Sequence, residues 1–270
     1  MRYRAIISYC GTRYVGWQRQ LNGLSVQEVL EKALSKTFGT PTSATASGRT
    51  DAGVHAEGQV VHFDAATSIP TDKIPFAVNT ELPDDVSMLY CEVADDDFNA
   101  RFNAKRKTYC YKMYLSKHRL PMLEATHEHV VVPLNLKTMQ EAAKIIEGTH
   151  DFKCFEASGS VVKNTVRTVY SVDIQTRELS YASSISDDAK NQHLNGSNPD
   201  YIYDSEINIY VTGNGFLYNM VRIIAGTLVK IGGSDMPADA MKGIIAATDR
   251  AAAGPTAPAH GLTMIGLKYE

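Results

Sequence analysis

The sequence predicts an α+β fold made of two tandem β-α-β-β-α-β halves, with a mainly antiparallel sheet and helices packed on it. Three observations carry that reading. The same order of alternating strands and amphipathic helices appears twice along the chain. At 44% hydrophobic and 21% charged residues, the composition is that of an ordinary folded protein, neither disordered nor coiled coil. The 270 residues, at about 150 per domain, leave room for two modest units.

In the first half, residues 1–104, Arg2 to Tyr9 alternates as a strand with Tyr3, Ala5, Ile7 and Tyr9 on one face. Ser25 and Glu28 form a capping box, each able to satisfy a free amide at the start of a helix. Val26, Val29, Leu30, Ala33, Leu34 and Phe38 follow at helical spacing, and Gly39 closes the helix. Strands are expected near Thr42 to Ala46, Glu57 to Asp64 and Val86 to Val93, with a poorer helix between Thr71 and Thr80. This order is the split βαβ, or ferredoxin-like, signature.

The second half, residues 105–270, repeats it. Lys107 to Leu115 alternates, placing Tyr109, Tyr111, Met113 and Leu115 on one face. Asn135 caps a helix carrying Leu136, Met139, Ala143 and Ile146, stopped by Gly148. Strands follow near Val161 to Ile174 and Glu206 to Thr212, then an apolar helix over Phe216 to Ile231 and a last strand over Leu262 to Tyr269. Ser180 to Asp204 is polar and aperiodic, so a surface hairpin or mobile insertion is expected there. Its acids (Asp187, Asp188, Asp200, Asp204) against a single Lys190 argue against phosphate contact.

Several function classes drop out. No run approaches 18 apolar residues, so no membrane span is expected, and the charged, tyrosine-rich start does not read as a signal peptide. Four scattered cysteines (Cys10, Cys91, Cys110, Cys154) read as reduced thiols in a cytoplasm. There is no phosphate-binding P-loop and no nucleophile elbow, and Gly213-Asn214-Gly215 lacks the third glycine of a dinucleotide site. His127-Glu128-His129 reads as irregular surface loop rather than a metal site, and His55, His62 and His150 as hydrogen-bonded or surface residues.

The net charge is −3, yet Arg101 to Leu120 holds seven basic residues and no acid, directly after an acidic stretch from Glu81 to Asp97. Such polarity gives one basic face, suited to a polyanion or merely solvated. The other unusual stretch is GRTDAGVHA (Gly48 to Ala56), which crowds Arg49, Asp51 and His55 into a loop between two strands. Loops on a rigid sheet are where catalytic groups are commonly held.

GRTDAGVHA resembles the catalytic motif of the tRNA pseudouridine synthase A family. YCGTRYVGWQRQ (Tyr9 to Gln20), FNARFNAKRKTYCY (Phe98 to Tyr111), GFLYNMVRIIAGTL (Gly215 to Leu228) and APAHGL (Ala257 to Leu262) resemble further family blocks in order. The resemblance implies isomerisation of uridine to pseudouridine at positions 38 to 40 of the tRNA anticodon stem-loop, by a homodimer without metal or organic cofactor. It implies that Asp51 is the essential carboxylate, attacking C1′ or uracil C6 or acting through a glycal. Arg222 would pair with Asp51, Tyr109 would stack on uracil and assist removal of the C5 proton, and Leu262 would pack on the base. Arg49 would help extrude the nucleotide, and Arg101, Lys105, Arg106 and Lys107 would bind tRNA backbone. Cys10 stands where the family usually has Asp. A catalytically inactive tRNA-binding protein is the alternative; a two-acid glycoside hydrolase lacks a second acid placed with Asp51.

Overall fold

A computed structural model describes residues 1–160, 162–184 and 200–269. In chain order the strands and helices begin β1 (Arg2–Tyr9), α1 (Val26–Phe38), β2 (Ala44–Ala46), β3 (His55–Asp64), α2 (Ile74–Asn79), β4 (Val86–Val93) and β5 (Arg106–Leu115). They continue with β6 (Glu128–Val130), β7 (Leu134–Asn135), α3 (Leu136–Ile146), β8 (Gly148–Asp151), β9 (Val166–Glu178) and β10 (Tyr201–Ile202). The chain ends with β11 (Ser205–Gly213), α4 (Met220–Gly232), α5 (Ala240–Ala247) and β12 (Leu262–Lys268). It divides into a first unit, Met1–Thr108 with Thr263–Glu270, and a second, Tyr109–Leu262. This is a mixed α+β fold with mostly antiparallel strands. No helix among the described residues is long and apolar enough to cross a membrane.

In the first unit β1 is antiparallel to both β3 and β4. The other edge of β3 is shared: β2 pairs antiparallel at Ala44↔Phe63, and β12 pairs parallel at Thr263↔His55. That second pairing brings the C-terminal strand into the first unit, although it follows the second unit in sequence. The alternation of β1 buries Tyr3, Ala5, Ile7 and Tyr9 as expected. Ser25 Oγ accepts the Glu28 amide at 3.2 Å, and Gly39 closes α1 in the left-handed conformation that lets a glycine end a helix. The reciprocal arm of the capping box is absent, because the Glu28 carboxylate accepts from Lys32 at 2.6 Å instead. Buried Leu30 and Leu34 line the inner face of α1, and Phe63 stacks on both Tyr3 and Phe38.

In the second unit the strand order is β5-β11-β9-β8, with β6 parallel to β5. Four readings need correction here. Tyr109 to Tyr111 and Met113 to Leu115 are all buried, so β5 is covered on both faces rather than one. His127-Glu128-His129 is not surface loop: Glu128 and His129 open β6, and His127 is buried 3.6 Å from Glu206. The helix expected from Phe216 starts only at Met220, because Asn219 takes a left-handed φ of 60° and breaks the run. Likewise β9 starts at Val166, where the Asn164 side chain turns the chain by accepting the Val166 amide. Asn135 caps α3 as expected, accepting the Thr138 amide at 2.9 Å.

The described ends of the 180–204 stretch are partly packed, although Ser180, Ser184 and Asp200 are exposed. Leu179 and Ala182 are buried, the Tyr181 hydroxyl bridges Ser116 and Asp204, and β10 pairs with β7. The rest of that insertion, 185–199, lies outside the described residues.

Candidate active site

The Asp51 loop joins the end of β2 to the start of β3, both fixed by pairing within the first unit. Thr50 is buried and held twice, its hydroxyl 2.7 Å from the Tyr9 hydroxyl and its carbonyl accepting the Trp17 amide at 3.0 Å. Beyond Asp51, the Gly53 amide donates to the Tyr14 carbonyl and the Val54 amide donates back to the Asp51 carbonyl. The two segments thus interlock: Tyr9 to Trp17 supplies the clamps, and Asp51 sits half-buried between clamped neighbours.

Glycine is required where these segments meet. A side chain on Gly11 would start 2.0 Å from the Val54 carbonyl oxygen, and one on Gly16 would start 2.6 Å from that of Thr50. His55 is structural, its Nδ1 accepting the Gly11 amide at 3.0 Å. His62 does the same for Ala100 at 3.1 Å. Burial pushes the Tyr9 phenol up to about 12, so it stays a neutral hydroxyl beside Thr50. Cys10 lies 3.4 Å from the Thr12 hydroxyl through its sulfur, a weak contact.

The basic candidates of this unit divide into two sets. Arg49, Arg101, Lys105 and Arg106 are exposed, with the Arg101 guanidinium 5.6 Å from the centre of the exposed Phe102 ring. The turn that presents Arg101 is tied by the Asn99 side chain, which accepts the amides of both Arg101 and Phe102. Lys107 is different. It turns inward and donates through Nζ to the Ser47 carbonyl at 2.7 Å. Burial, and secondarily the charge of Arg101, lower its pKa. Its ammonium group is thus engaged with the Ser47 carbonyl, unlike the exposed charges of its neighbours.

Tyr109, Arg222 and Leu262 belong to the second unit. Tyr109 is 8% exposed, and Phe216 meets its ring edge-on at 5.4 Å. Arg222, in the first turn of α4, donates through Nε to the Ala257 carbonyl at 2.7 Å and through a terminal nitrogen to Asn219 Oδ1 at 2.7 Å. It thus has two hydrogen-bond partners within its own unit. Leu262 is buried at the start of β12.

Sequence reasoning missed the support beneath these residues. The Tyr111 hydroxyl lies 2.9 Å from both Glu128 Oε2 and the Pro258 carbonyl. A side chain on Gly261 would start 2.7 Å from the Tyr111 ring. Burial raises the Glu128 carboxyl, and burial followed by Glu128 raises the Tyr111 phenol. The signal for Tyr111 was its alternation with Tyr109; Glu128 gave none, because its strand is three residues long. Among the described residues, no group of three or more His, Cys, Asp or Glu side chains could hold a metal ion.

In the first unit, an interlocked loop presenting one carboxylate and an exposed basic turn suit an enzyme acting on a polyanion. Residues 5–103 and 142–270 match the family described as tRNA pseudouridine synthase, and the chain belongs to that family. It is 42% identical over 268 residues to a protein of Ruminiclostridium cellulolyticum, covering 99% of each chain. It is 40% identical over 273 residues to one of Bacillus subtilis, covering 100% of each. Both relatives are named tRNA pseudouridine synthase A. Among solved structures, an archaeal box H/ACA sRNP Nop10–Cbf5 complex gives a TM-score of 0.36 at 12% identity, over 84% of this chain and 44% of that one.

Proposed function

We propose that the protein isomerises uridine to pseudouridine in the anticodon stem-loop of tRNAs, at positions 38 to 40. The C1′–N1 bond breaks, the uracil turns, C5 bonds to C1′, the C5 proton leaves, and N1 takes up a proton, so the product is an isomer of the substrate. Asp51 is the essential carboxylate, Arg222 its cationic partner, Tyr109 the aromatic beside the base and Leu262 its apolar contact. Arg49 acts on the extruded nucleotide, while Arg101, Lys105 and Arg106 contact phosphates. The observation that carries the assignment of Asp51 is the clamping of its loop on both sides, at Thr50 and at Gly53. Catalysis by a single carboxylate depends on that kind of fixed geometry.

Finer readings accompany this one. The β4-β1-β3 order, with β2 on the far side of β3, supports a ferredoxin-like first half. Exposed Phe76, Leu89 and Val93 along the edge strand β4 and helix α2 support a homodimer. Four free thiols support a reducing cytoplasm. Incubating the protein with undermodified tRNA and mapping pseudouridine tests the activity. Product at 38 to 40 is expected; binding without product means an inactive tRNA-binding protein.

A further inference from the structure

We propose that Lys107 is a positioning residue, which holds the Asp51 loop in its working geometry from the protein side and does not bind RNA. The proposal rests on the isomerase reading above. Lys107 Nζ donates to the Ser47 carbonyl at 2.7 Å, two residues before Arg49 and four before Asp51. The same stretch is tied from β3: Gln59 Nε2 donates to the Gly48 carbonyl at 2.8 Å, and the Ser47 hydroxyl donates to Gln59 Oε1 at 2.6 Å. Ser47 and Gln59 are fully buried, so the carbonyl that Lys107 satisfies has little water to replace it.

Gly48 records how closely the ammonium group sits. A side chain there would start 3.2 Å from Lys107 Nζ, tighter than ordinary van der Waals contact. A Cβ there would require the lysine tip to give by a few tenths of an ångström on its way to Ser47. The loop is thus held at three places, by Lys107 and Gln59 before Arg49, by Tyr9 and Trp17 at Thr50, and by Tyr14 at Gly53. Lys107 alone brings a charge to that set. Arg106, on the opposite side of β5, is exposed, as is Lys105 just before the strand, so one basic run serves two purposes.

The test separates positioning from phosphate binding. Lys107→Met keeps the length of the side chain and removes the donor and charge. With saturating tRNA its single-turnover rate should fall about tenfold or more. The tRNA Kd and the salt dependence of binding should stay at wild-type values, and Lys107→Arg, which restores a donor, should recover part of the rate. Gly48→Ala, which crowds Nζ without touching the lysine, should lower the rate in the same way. Both Lys107→Met and Gly48→Ala should speed hydrogen exchange at the Gly53 and Val54 amides. A wild-type saturated rate with a raised Kd and a log–log salt slope smaller by about 0.7 to 0.9 overturns the proposal, because that is the signature of one lost phosphate contact. If the wild-type protein forms no pseudouridine, the isomerase reading fails by itself. The exchange measurement then decides the positioning role, and unchanged exchange overturns it.

Discussion

Arg222 and Ala257 hold each other from two directions: the arginine Nε donates to the Ala257 carbonyl at 2.7 Å, and the Ala257 amide donates to the Arg222 carbonyl at 3.2 Å. The second terminus of the guanidinium is fixed by Asn219, whose left-handed backbone ends the preceding loop. The arginine of the fourth motif therefore organises the closing motif that leads to Leu262.

Arg222→Ala should cost stability as well as activity. It removes two hydrogen bonds from a charged, half-buried group, so a loss of about 2 kcal/mol is expected, or about 4–8 °C in Tm. Arg222→Lys should lose less stability, since one donor direction remains. If Arg222 also pairs with Asp51, its removal makes that carboxylate harder to ionise and moves the acid limb of the activity–pH profile upward. Thermal melting and turnover across pH check both parts; a wild-type Tm for the alanine variant contradicts the first.

Replacing Arg101 and Lys105 together by Ala should weaken all substrate tRNAs alike. Both side chains are exposed, and each lost phosphate contact should reduce the log–log salt slope by about 0.7 to 0.9. Filter binding from low to moderate salt measures it. An unchanged slope would place this turn away from the RNA.

What could be read in the sequence followed from how local its cause was. Helix α1 was legible because Ser25 and Gly39 act through their own turns, whatever packs above them. Strand β1 was legible because a half-covered strand must alternate. Strands β6, β7, β8 and β10 are two to four residues long and exist by pairing with distant partners, so they carry no period to detect. Lys107 shares the parity of Tyr109 and Tyr111, but β5 is covered on both faces, so parity alone could not give its direction. Phe216 read as helical because it is apolar and adjoins an apolar run, yet its ring packs on Tyr109.

Glu128 gives a pH prediction with a definite sign. Its folded-state pKa is raised, chiefly by burial, with the Tyr111 hydrogen bond opposing. The folded protein therefore holds that proton more tightly than the unfolded chain does. The associated stability is present below the ordinary carboxylate pKa and is lost as pH rises through the raised value. Glu128→Gln stays neutral and can still accept from Tyr111. The variant should gain on wild type as pH rises from about 4 to 7, where the buried carboxylate must ionise. Denaturant unfolding at both pH values checks it; a difference independent of pH contradicts the burial argument.

The last prediction separates Asp51 from Arg49, two residues apart in the same loop but unlike in setting. Asp51 lies between pinned neighbours and is half-buried, so Asp51→Asn keeps its volume and leaves the clamps at Thr50 and Gly53 intact. The amide cannot act as a nucleophile or carry negative charge beside C1′, so isomerisation should fall below a few per cent of wild type, on the scale expected for removing a covalent or general-base carboxylate. Affinity for tRNA should hold or rise, because one negative charge near phosphates is gone. Arg49 is exposed, and nothing in the folded chain should depend on its charge. Arg49→Ala should therefore melt like wild type. Its effect should appear on structured tRNA, where the target uridine has to leave its stack, and should shrink on a short unstructured oligonucleotide that spares the extrusion cost. Single-turnover rates on both substrates, with melting curves for both variants, distinguish the roles. Equal slowing of Arg49→Ala on the two RNAs would assign it to the chemical step with Asp51 rather than to extrusion.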